Sequence, residues 1–229
     1  MKRAILILLT MVTVLTISAQ SGTIKVINGK VVEGDFFKEK IFVFDHYLEG
    51  RIRLNNGEVY TGKLNISTLN QTLRVISETG DTISISNEKL VEVVSSGNYF
   101  FRKFNIGYIQ YLNTNGEVSL GLLRTMKLGS EKLQGAYGGS NEVSSIQKIA
   151  TIDVDSRVEK ISGTAELRYT YSETLFLMKD NKYYPANKRN FERMFPAFKS
   201  KINQYVAENK LSFSKKEDMV TIFNYLANL

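Results

Sequence analysis

The chain has 229 residues, no cysteine and a formal net charge of +7. The lack of cysteine excludes disulfides, thiolate zinc sites, iron–sulfur clusters, thiol catalysis and a lipid anchor on cysteine. The length is sufficient to bury a substantial core without such covalent or metal support.

The first nineteen residues predict a secretory signal peptide. A cationic start at residues 1–3 precedes an apolar run from Ala4 to Ile17, and Ser18 and Ala19 are small residues suited to cleavage. The run is shorter than the roughly 20 apolar residues of a membrane span. Cleavage after Ala19 would leave Gln20 at the N-terminus, and an uncleaved N-terminal anchor is the alternative. We therefore expect an exported protein, located in the periplasm or outside the cell.

A short repeat centred on Asn-Gly follows the predicted signal peptide. Residues 23–34 align with residues 51–62, and residues 111–121 form a fainter third copy. Asn-Gly between two alternating runs favours a type I′ hairpin, because both central residues of that turn need positive φ. The predicted hairpin turns are at Asn28-Gly29, Asn56-Gly57, Thr79-Gly80, Asn115-Gly116 and Asp180-Asn181.

Apolar and polar residues alternate between these turns, which is typical of strands with one face in water. The alternating sets are Leu73, Val75, Ile83 and Ile85, and then Phe104, Ile106, Tyr108 and Leu112. The continuous apolar runs at Ile41–Phe44 and Leu175–Met178 predict strands that are buried on both faces. Residues 129–145 are rich in glycine and follow no period, so they predict either a mobile loop or a seam between two β-subdomains.

After Pro185 the apolar period becomes that of a helix. Pro196 predicts one short helix that ends near Met194 and another that begins at Pro196 and ends near Asn209. Ser214 and Glu217 have capping-box spacing and predict the start of a last helix. The residues expected on the buried stripes are Phe191, Phe195, Phe198, Ile202, Tyr205, Val206, Met219, Ile222, Phe223 and Leu226.

These patterns predict the α+β class. We expect an antiparallel β-domain over residues 20–184, either a sandwich or a partly closed barrel, capped by a basic helical hairpin over residues 187–229. An outer-membrane barrel is the structural alternative, but its strands would form a regular series of segments about ten residues long. The strand-like segments of this chain do not form such a series.

The excess positive charge lies in the C-terminal tail. Lys2 and Arg3 belong to the predicted signal peptide, and residues 20–181 are neutral overall. An exported protein meets anionic lipid or polyanionic glycan rather than nucleic acid, so the tail predicts contact with such a surface. The alternative is an ordinary solvated helix face. The residues expected to make this contact are Lys188, Arg189, Arg193, Lys199 and Lys201.

The residues that could carry chemistry form no recognisable active site. His46 follows Asp45 at the end of a predicted strand, but no serine lies in a Gly-x-Ser-x-Gly elbow. Residues 153–159 alternate carboxylates as a calcium loop does, yet Arg157 and Val158 stand where glycine and oxygen ligands belong. We interpret that run as a strand with one charged face. The sequence predicts no catalytic residue, no metal ligand and no cofactor.

Several soft features resemble uncharacterised exported β-rich proteins of Bacteroidetes. They are the Ala19-Gln20 junction, the early Asn-Gly repeats and the endings at residues 209–213 and 217–226. This resemblance covers most of the chain and implies a compartment and a lineage, without an activity.

The first two hairpins are similar, more weakly, to MORN repeats, which read roughly Asn-Gly-x-x-Tyr-x-Gly-acid-aromatic. Residues 28–36 and 56–62 echo this pattern. The repeat spacing differs, and glycines expected in each second strand are missing, so we interpret the similarity as convergence on one hairpin geometry.

Taken together, these observations predict an exported cell-envelope protein that is a non-enzymatic binding or structural module. The expected partner is an envelope protein or a glycan, with an anionic lipid surface as a further possibility and no nucleic acid. A hydrolase acting on polysaccharide or peptide is the alternative, and surface association through the basic helices is a third hypothesis.

Overall fold

The computed structural model describes residues 17–28, 30–85, 88–134, 140–143, 152–153, 157–158 and 164–229. Within them the chain is mainly antiparallel sheet and ends in a helical pair, which confirms the predicted α+β class. The predicted signal peptide lies outside this description, except that Ile17–Ala19 extend the first strand.

The first strands and the N-terminal helix precede the middle of the chain. They are β1 (Ile17–Ile27), β2 (Lys30–Glu33), α1 (Asp35–Lys40), β3 (Leu48–Leu54), β4 (Val59–Ile66), β5 (Leu73–Ile76) and β6 (Thr82–Ser84). A 3₁₀ turn at Glu88–Leu90 then leads to β7 (Val91–Ser96), β8 (Tyr99–Phe104), β9 (Gly107–Asn115), β10 (Val118–Gln134) and β11 (Ser140–Val143).

The remaining elements are short strands, one long strand and the helical tail. They are β12 (Ile152–Asp153), β13 (Arg157–Val158), β14 (Thr164–Lys179), β15 (Lys182–Pro185), α2 (Lys188–Met194), a 3₁₀ turn at Pro196–Phe198, α3 (Lys199–Glu208) and α4 (Lys216–Ala227). None of the helices in the described part of the chain is long and apolar enough to span a membrane.

All the described strands belong to one antiparallel sheet. Its order is β12-β13-β2-β1-β14-β10-β9-β8-β7-β3-β4-β5-β6, with β11 added to the end of β10 and β15 to the end of β14. The sheet is not closed in the described residues. The long pair β10 and β14 is the spine, because each of these strands has different neighbours along its two halves.

The inner face of the spine is covered at both of its ends. At one end the helical tail packs on Leu120 and Leu177, and it buries Phe191, Ile202 and Phe223 completely. At the other end α1 inserts Phe37 against β1 and β14. Side chains alternate across a strand, so the intervening residues of β10 and β14 face the opposite side of the sheet. We call that side the outer face.

Strands β3 to β9 curl around a third apolar core, in addition to the two on the spine, and we call this part of the sheet the curl. Leu64, Leu73, Val94, Phe101 and Tyr108 lie within it, each nearly or fully buried. β7 follows the first 3₁₀ turn and returns to pair with β3, which curls the sheet over these residues. The β4–β5 connection then reaches back to the spine, because the backbone N–H of Met126 donates to the carbonyl of Thr68 at 2.8 Å.

A partly buried carboxylate fixes the 3₁₀ turn within this curl. Glu88 accepts hydrogen bonds from the Tyr108 hydroxyl and from the backbone N–H of Leu73, and its Oε1 lies 3.3 Å from Lys103 Nζ. The Lys103 ammonium also donates to the carbonyl of Gln71 at 2.7 Å. Four separate elements are therefore tied to one side chain.

Turns occur at or next to the predicted positions, but in the described residues two adjacent positive φ values, as a type I′ turn requires, are found only at Asp180-Asn181. Asn28 has φ 48°, Gly57 has φ 90° and Gly80 has φ 86°, and both Asp180 and Asn181 have positive φ. The third Asn-Gly turn is shifted by one residue, because Asn115 pairs with Val118 and the turn falls on residues 116–117. Positive φ is costly for most residues but not for glycine, and asparagine tolerates it, which explains these positions.

Two strand predictions are wrong. Ile41–Phe44 makes a single bridge, between Phe42 and Ser67, and is otherwise irregular. The backbone of Phe44 is paired by the buried Asn65 side chain, which accepts from its N–H at 3.1 Å and donates to its carbonyl at 2.8 Å. The alternating set from Phe104 to Leu112 is not one strand either, since a turn at residues 105–106 separates β8 from β9.

The predicted loop at residues 129–145 is partly strand. β10 continues without interruption to Gln134, and β11 pairs back with its end. The other residues of that segment lie outside the described ones.

The capping-box prediction is also wrong: Lys215 precedes α4 without a side-chain cap, and Asp218 instead accepts from the backbone N–H of Ser212 at 2.8 Å.

Candidate functional site

The five basic residues predicted from the sequence all lie on exposed positions of the helical tail. Lys188 and Lys199 approach the two oxygens of Glu192, at 3.8 Å and 3.1 Å respectively. The hydrogen bond from Lys199 lowers the pKa of Glu192, so this carboxylate stays ionised and offsets part of the local positive charge.

The other three predicted residues have different surroundings. The Arg193 guanidinium lies 4.4 Å from the centre of the Tyr184 ring, and Lys201 Nζ lies 5.7 Å from that of Phe198. Arg189 is exposed. These side chains are accessible, but contact with an anionic surface stays a prediction.

The residues considered for catalysis or metal binding are not brought together in the described part of the chain. His46 is exposed, and its backbone carbonyl accepts a 3.4 Å hydrogen bond from Asn65. No group of three or more His, Asp or Glu side chains that could hold a metal ion occurs among the described residues. The carboxylate-rich segment at residues 153–159 lies largely outside the described residues.

The outer face carries an aromatic patch that the sequence analysis did not identify. We call it the aromatic surface, and it consists of Phe100, Phe104, Tyr111, Phe176, Met178 and Tyr183. Its floor is the buried cluster of Ile109, Leu123, Phe176 and Met178, and Phe104, Tyr111 and Tyr183 pack against this floor half-buried. The floor belongs to β9, β10 and β14, which are the strands that carry the helical tail on their opposite side.

The aromatic rings of this surface contact one another edge to face. Phe100 and Tyr111 have ring centroids 5.2 Å apart, and Tyr183 lies 5.3 Å from both Phe104 and Phe176. Such pairs hold their geometry more strictly than aliphatic contacts do. Phe100 is still 42% exposed, so the patch offers a preorganised apolar area to solvent.

Charged and polar groups surround the aromatic surface. Lys179 Nζ lies 2.8 Å from Glu117, and Arg102 donates to Glu92 at 2.9 Å. The Lys179 hydrogen bond lowers the pKa of the Glu117 carboxyl. Between them is an open groove of about 200 Å³, whose walls include Arg102, Tyr111, Met178 and the β14–β15 turn.

The floor of the aromatic surface depends on Gly121. A Cβ at this position would overlap the Ile109 side chain and lie 2.7 Å from Met178 Cε. We predict that Gly121→Val lowers the free energy of unfolding by about 1–2 kcal/mol, since overpacked cores force side chains off their rotamers. Urea denaturation would measure this effect. Gly129→Val is the control, because a Cβ there makes ordinary contacts of 3.5 Å with Arg168, and an equal loss of stability in both variants would contradict the prediction.

A second concave site opens on the inner side of the curl. It is a cavity of about 360 Å³ between β4 and the β5–β6 hairpin. Its lining residues are Ile52, Leu54, Tyr60, Thr61, Gly62, Val75, Ile76 and Ile85. Tyr60 and Gly62 belong to the second Asn-Gly repeat of the sequence, but the repeat pattern does not predict a cavity beside them.

No protein-family model, curated protein or solved structure matches this chain.

Proposed function

We propose that this protein is a non-enzymatic binding module of the cell envelope that holds a partner protein on its aromatic surface. The single observation that supports the proposal is this preorganised apolar patch on the outer face, in which Phe100 is exposed and the rings of Phe104, Tyr111 and Tyr183 are half-buried. The export signal predicted at residues 1–19 supports the compartment.

The composition of the surface favours a protein partner. Interface centres are enriched in aromatic residues, methionine and arginine, while charged residues with carboxylate or ammonium groups occur at the rim. The centre here contains Phe100, Tyr111, Met178 and Arg102, and the Glu117–Lys179 ion pair lies at its edge. This distribution corresponds to an interface with a small apolar centre.

The rigidity of the surface also supports binding. Its rings are fixed by edge-to-face contacts and stand on a buried floor, so little side-chain freedom remains to be lost when a partner binds. The open groove is shallow enough to accept one or two protruding side chains. A few residues of this kind carry most of the free energy of binding at protein interfaces.

Site-specific photocrosslinking in the cells that produce the protein tests the proposal. The photoreactive residue p-benzoylphenylalanine would replace Phe100 in one variant and Val32 in another. Val32 is 44% exposed and lies on β2, so it is a matched exposed control. We expect a discrete protein adduct from position 100 and none from position 32.

The partner identified in this way would then be tested with purified proteins. Phe100→Ser is expected to weaken its binding about 30-fold, the effect of losing a central interface residue. Val32→Ser is expected to leave binding unchanged. The proposal is wrong if position 100 crosslinks only to a second copy of this chain or only to a glycan, or if both positions give the same adducts.

A further inference from the structure

We infer that the cavity between β4 and the β5–β6 hairpin binds a small molecule through an uncharged hydrocarbon group with a neutral polar end, such as an alcohol or ester. This site is on the inner side of the curl, lined by Tyr60, Gly62 and Val75. It is separate from the aromatic surface, and the inference does not depend on the proposed function.

The cavity arises because two neighbouring strands separate. β4 pairs with β5 only at residues 64–66, where Leu64 is opposite Val75. The preceding residues of β4, from Val59 to Lys63, pair with β3 on their other side. The sheet therefore opens between residues 59–63 and the β5–β6 hairpin, and the inner core is accessible at that point.

The walls of this opening are apolar. Ile52, Leu54, Val75, Ile76 and Ile85 provide aliphatic side chains, and no ionisable carboxylate or ammonium group is among the lining residues. Ile83 is the cross-strand partner of Val75 and is 46% exposed. An apolar site with a few polar groups at its edge is typical of small-molecule pockets, whose volumes are about 300–1,000 Å³.

Gly62 is the residue that keeps the cavity empty of protein atoms. An added Cβ at this position would meet no atom within 4 Å, and its φ lies outside the positive region. A larger residue would be accommodated without strain, and strand positions generally favour β-branched and larger side chains over glycine. Neither the backbone conformation nor the packing at position 62 therefore requires glycine. The equivalent residue of the first repeat, Gly34, differs in both respects, because its φ is 127° and a Cβ there would overlap Ile24.

A charge bonded to a lining residue restricts the ligand. Tyr60 lines the cavity, and its hydroxyl donates to Glu58 Oε2 at 2.9 Å. A carboxylate on a ligand beside Tyr60 would be repelled by this glutamate, while a neutral hydroxyl could share its hydrogen bonds with Tyr60. The site thus favours a neutral end group over an acid of the same chain length.

The volume is consistent with this class of ligand. An apolar cavity of about 150 Å³ is known to hold a benzene ring. The cavity of about 360 Å³ can therefore take a short hydrocarbon chain or a fused aromatic group.

Binding of the uncharged fluorescent probe N-phenyl-1-naphthylamine tests the inference. The wild-type protein is expected to give a saturable increase in fluorescence. Gly62→Leu, which places a side chain in the cavity, is expected to weaken probe binding at least tenfold. Gly129→Leu is the matched control, because it introduces the same residue at an exposed strand position with ordinary contacts, and its binding should equal that of the wild type.

Competition then identifies the end group. 1-Decanol is expected to displace the probe at a concentration at least tenfold lower than decanoate does, and Glu58→Gln should reduce this difference. The inference is overturned if the wild type shows no saturable binding, if Gly62→Leu binds the probe as the wild type does, or if decanoate displaces the probe as well as decanol. Unfolding curves for both leucine variants would show that each is folded during these measurements.

Discussion

Replacing Glu88 with alanine is expected to lower the free energy of unfolding by about 3 kcal/mol, because it removes the acceptor of three donors in a partly buried charged network. Glu88 lies in the 3₁₀ turn between β6 and β7, and its side chain is only 20% exposed. Three different donors depend on it, so one substitution disturbs β5, β8 and β9 together.

The size of the effect follows from what the alanine variant leaves behind. The Tyr108 hydroxyl and the backbone N–H of Leu73 would lose their acceptor in the core of the curl. A buried donor without a partner costs about 1–3 kcal/mol. The Lys103 ammonium, whose pKa is already lowered by burial, would lose the carboxylate that opposes this shift.

Urea denaturation at neutral pH, with Glu88→Gln and Glu58→Ala as comparisons, measures this prediction. Glu88→Gln keeps an oxygen acceptor and should recover part of the loss. Glu58 also accepts from a tyrosine hydroxyl, that of Tyr60, but its pair is exposed. Glu58→Ala should therefore change stability far less, and similar effects at the two glutamates would show that the Glu88 network does not stabilise the curl.

The local parts of this fold were predictable from the sequence. Each hairpin turn contains at least one residue with positive φ, and glycine, asparagine or aspartate supplies it regardless of distant contacts. The break after α2 was predictable for the same reason, because Pro196 acts within its own turn. The buried stripe of α4 follows from helical periodicity alone, and Met219, Ile222, Phe223 and Leu226 are all buried.

Long-range pairing explains the predictions that were wrong. Ile41–Phe44 has the composition of a buried strand, but the Asn65 side chain occupies the backbone hydrogen-bonding groups of Phe44 from more than twenty residues away. A side chain can take the place of a strand partner in this way, and no local pattern reveals it.

The candidate sites were hidden for a related reason. The aromatic surface joins β8, β9, β14 and β15, and Phe104 contacts Tyr183, which comes about eighty residues later in the chain. Sequence alternation shows which residues share a face of one strand, but it does not show which strands are adjacent. The cavity beside Gly62 likewise exists only because β4 and β5 separate.

Glu173→Gln is expected to lower the free energy of unfolding by about 2 kcal/mol near neutral pH, less than a fully buried pair because the site is half-buried. Glu173 lies on the inner face of β14, between the two apolar ends of the spine. It accepts from the Tyr171 hydroxyl at 2.9 Å and from Lys216 at 2.5 Å, and Arg124 lies 3.5 Å away. Lys216 begins α4, so this carboxylate connects the sheet to the helical tail.

The same interactions make the contribution depend on pH. Burial raises the pKa of Glu173, but the hydrogen bonds from Lys216 and Tyr171 and the charge of Arg124 outweigh it, so the pKa is lowered overall. A lowered carboxyl pKa means that the folded state binds fewer protons than the unfolded state. The stabilisation is therefore present above the ordinary glutamate pKa of about 4.3 and is lost as the pH falls through the lowered value.

Denaturation at pH 6 and pH 3 separates this contribution from general acid destabilisation. The wild type should lose more stability between these two pH values than Glu173→Gln does, because glutamine cannot be protonated. Glu117→Gln is the matched control: its pKa is also lowered by a lysine, but the pair with Lys179 is exposed to water, which screens it. If Glu173→Gln and the wild type lose equal stability on acidification, the link between β14 and α4 does not hold the tail on the sheet through charge.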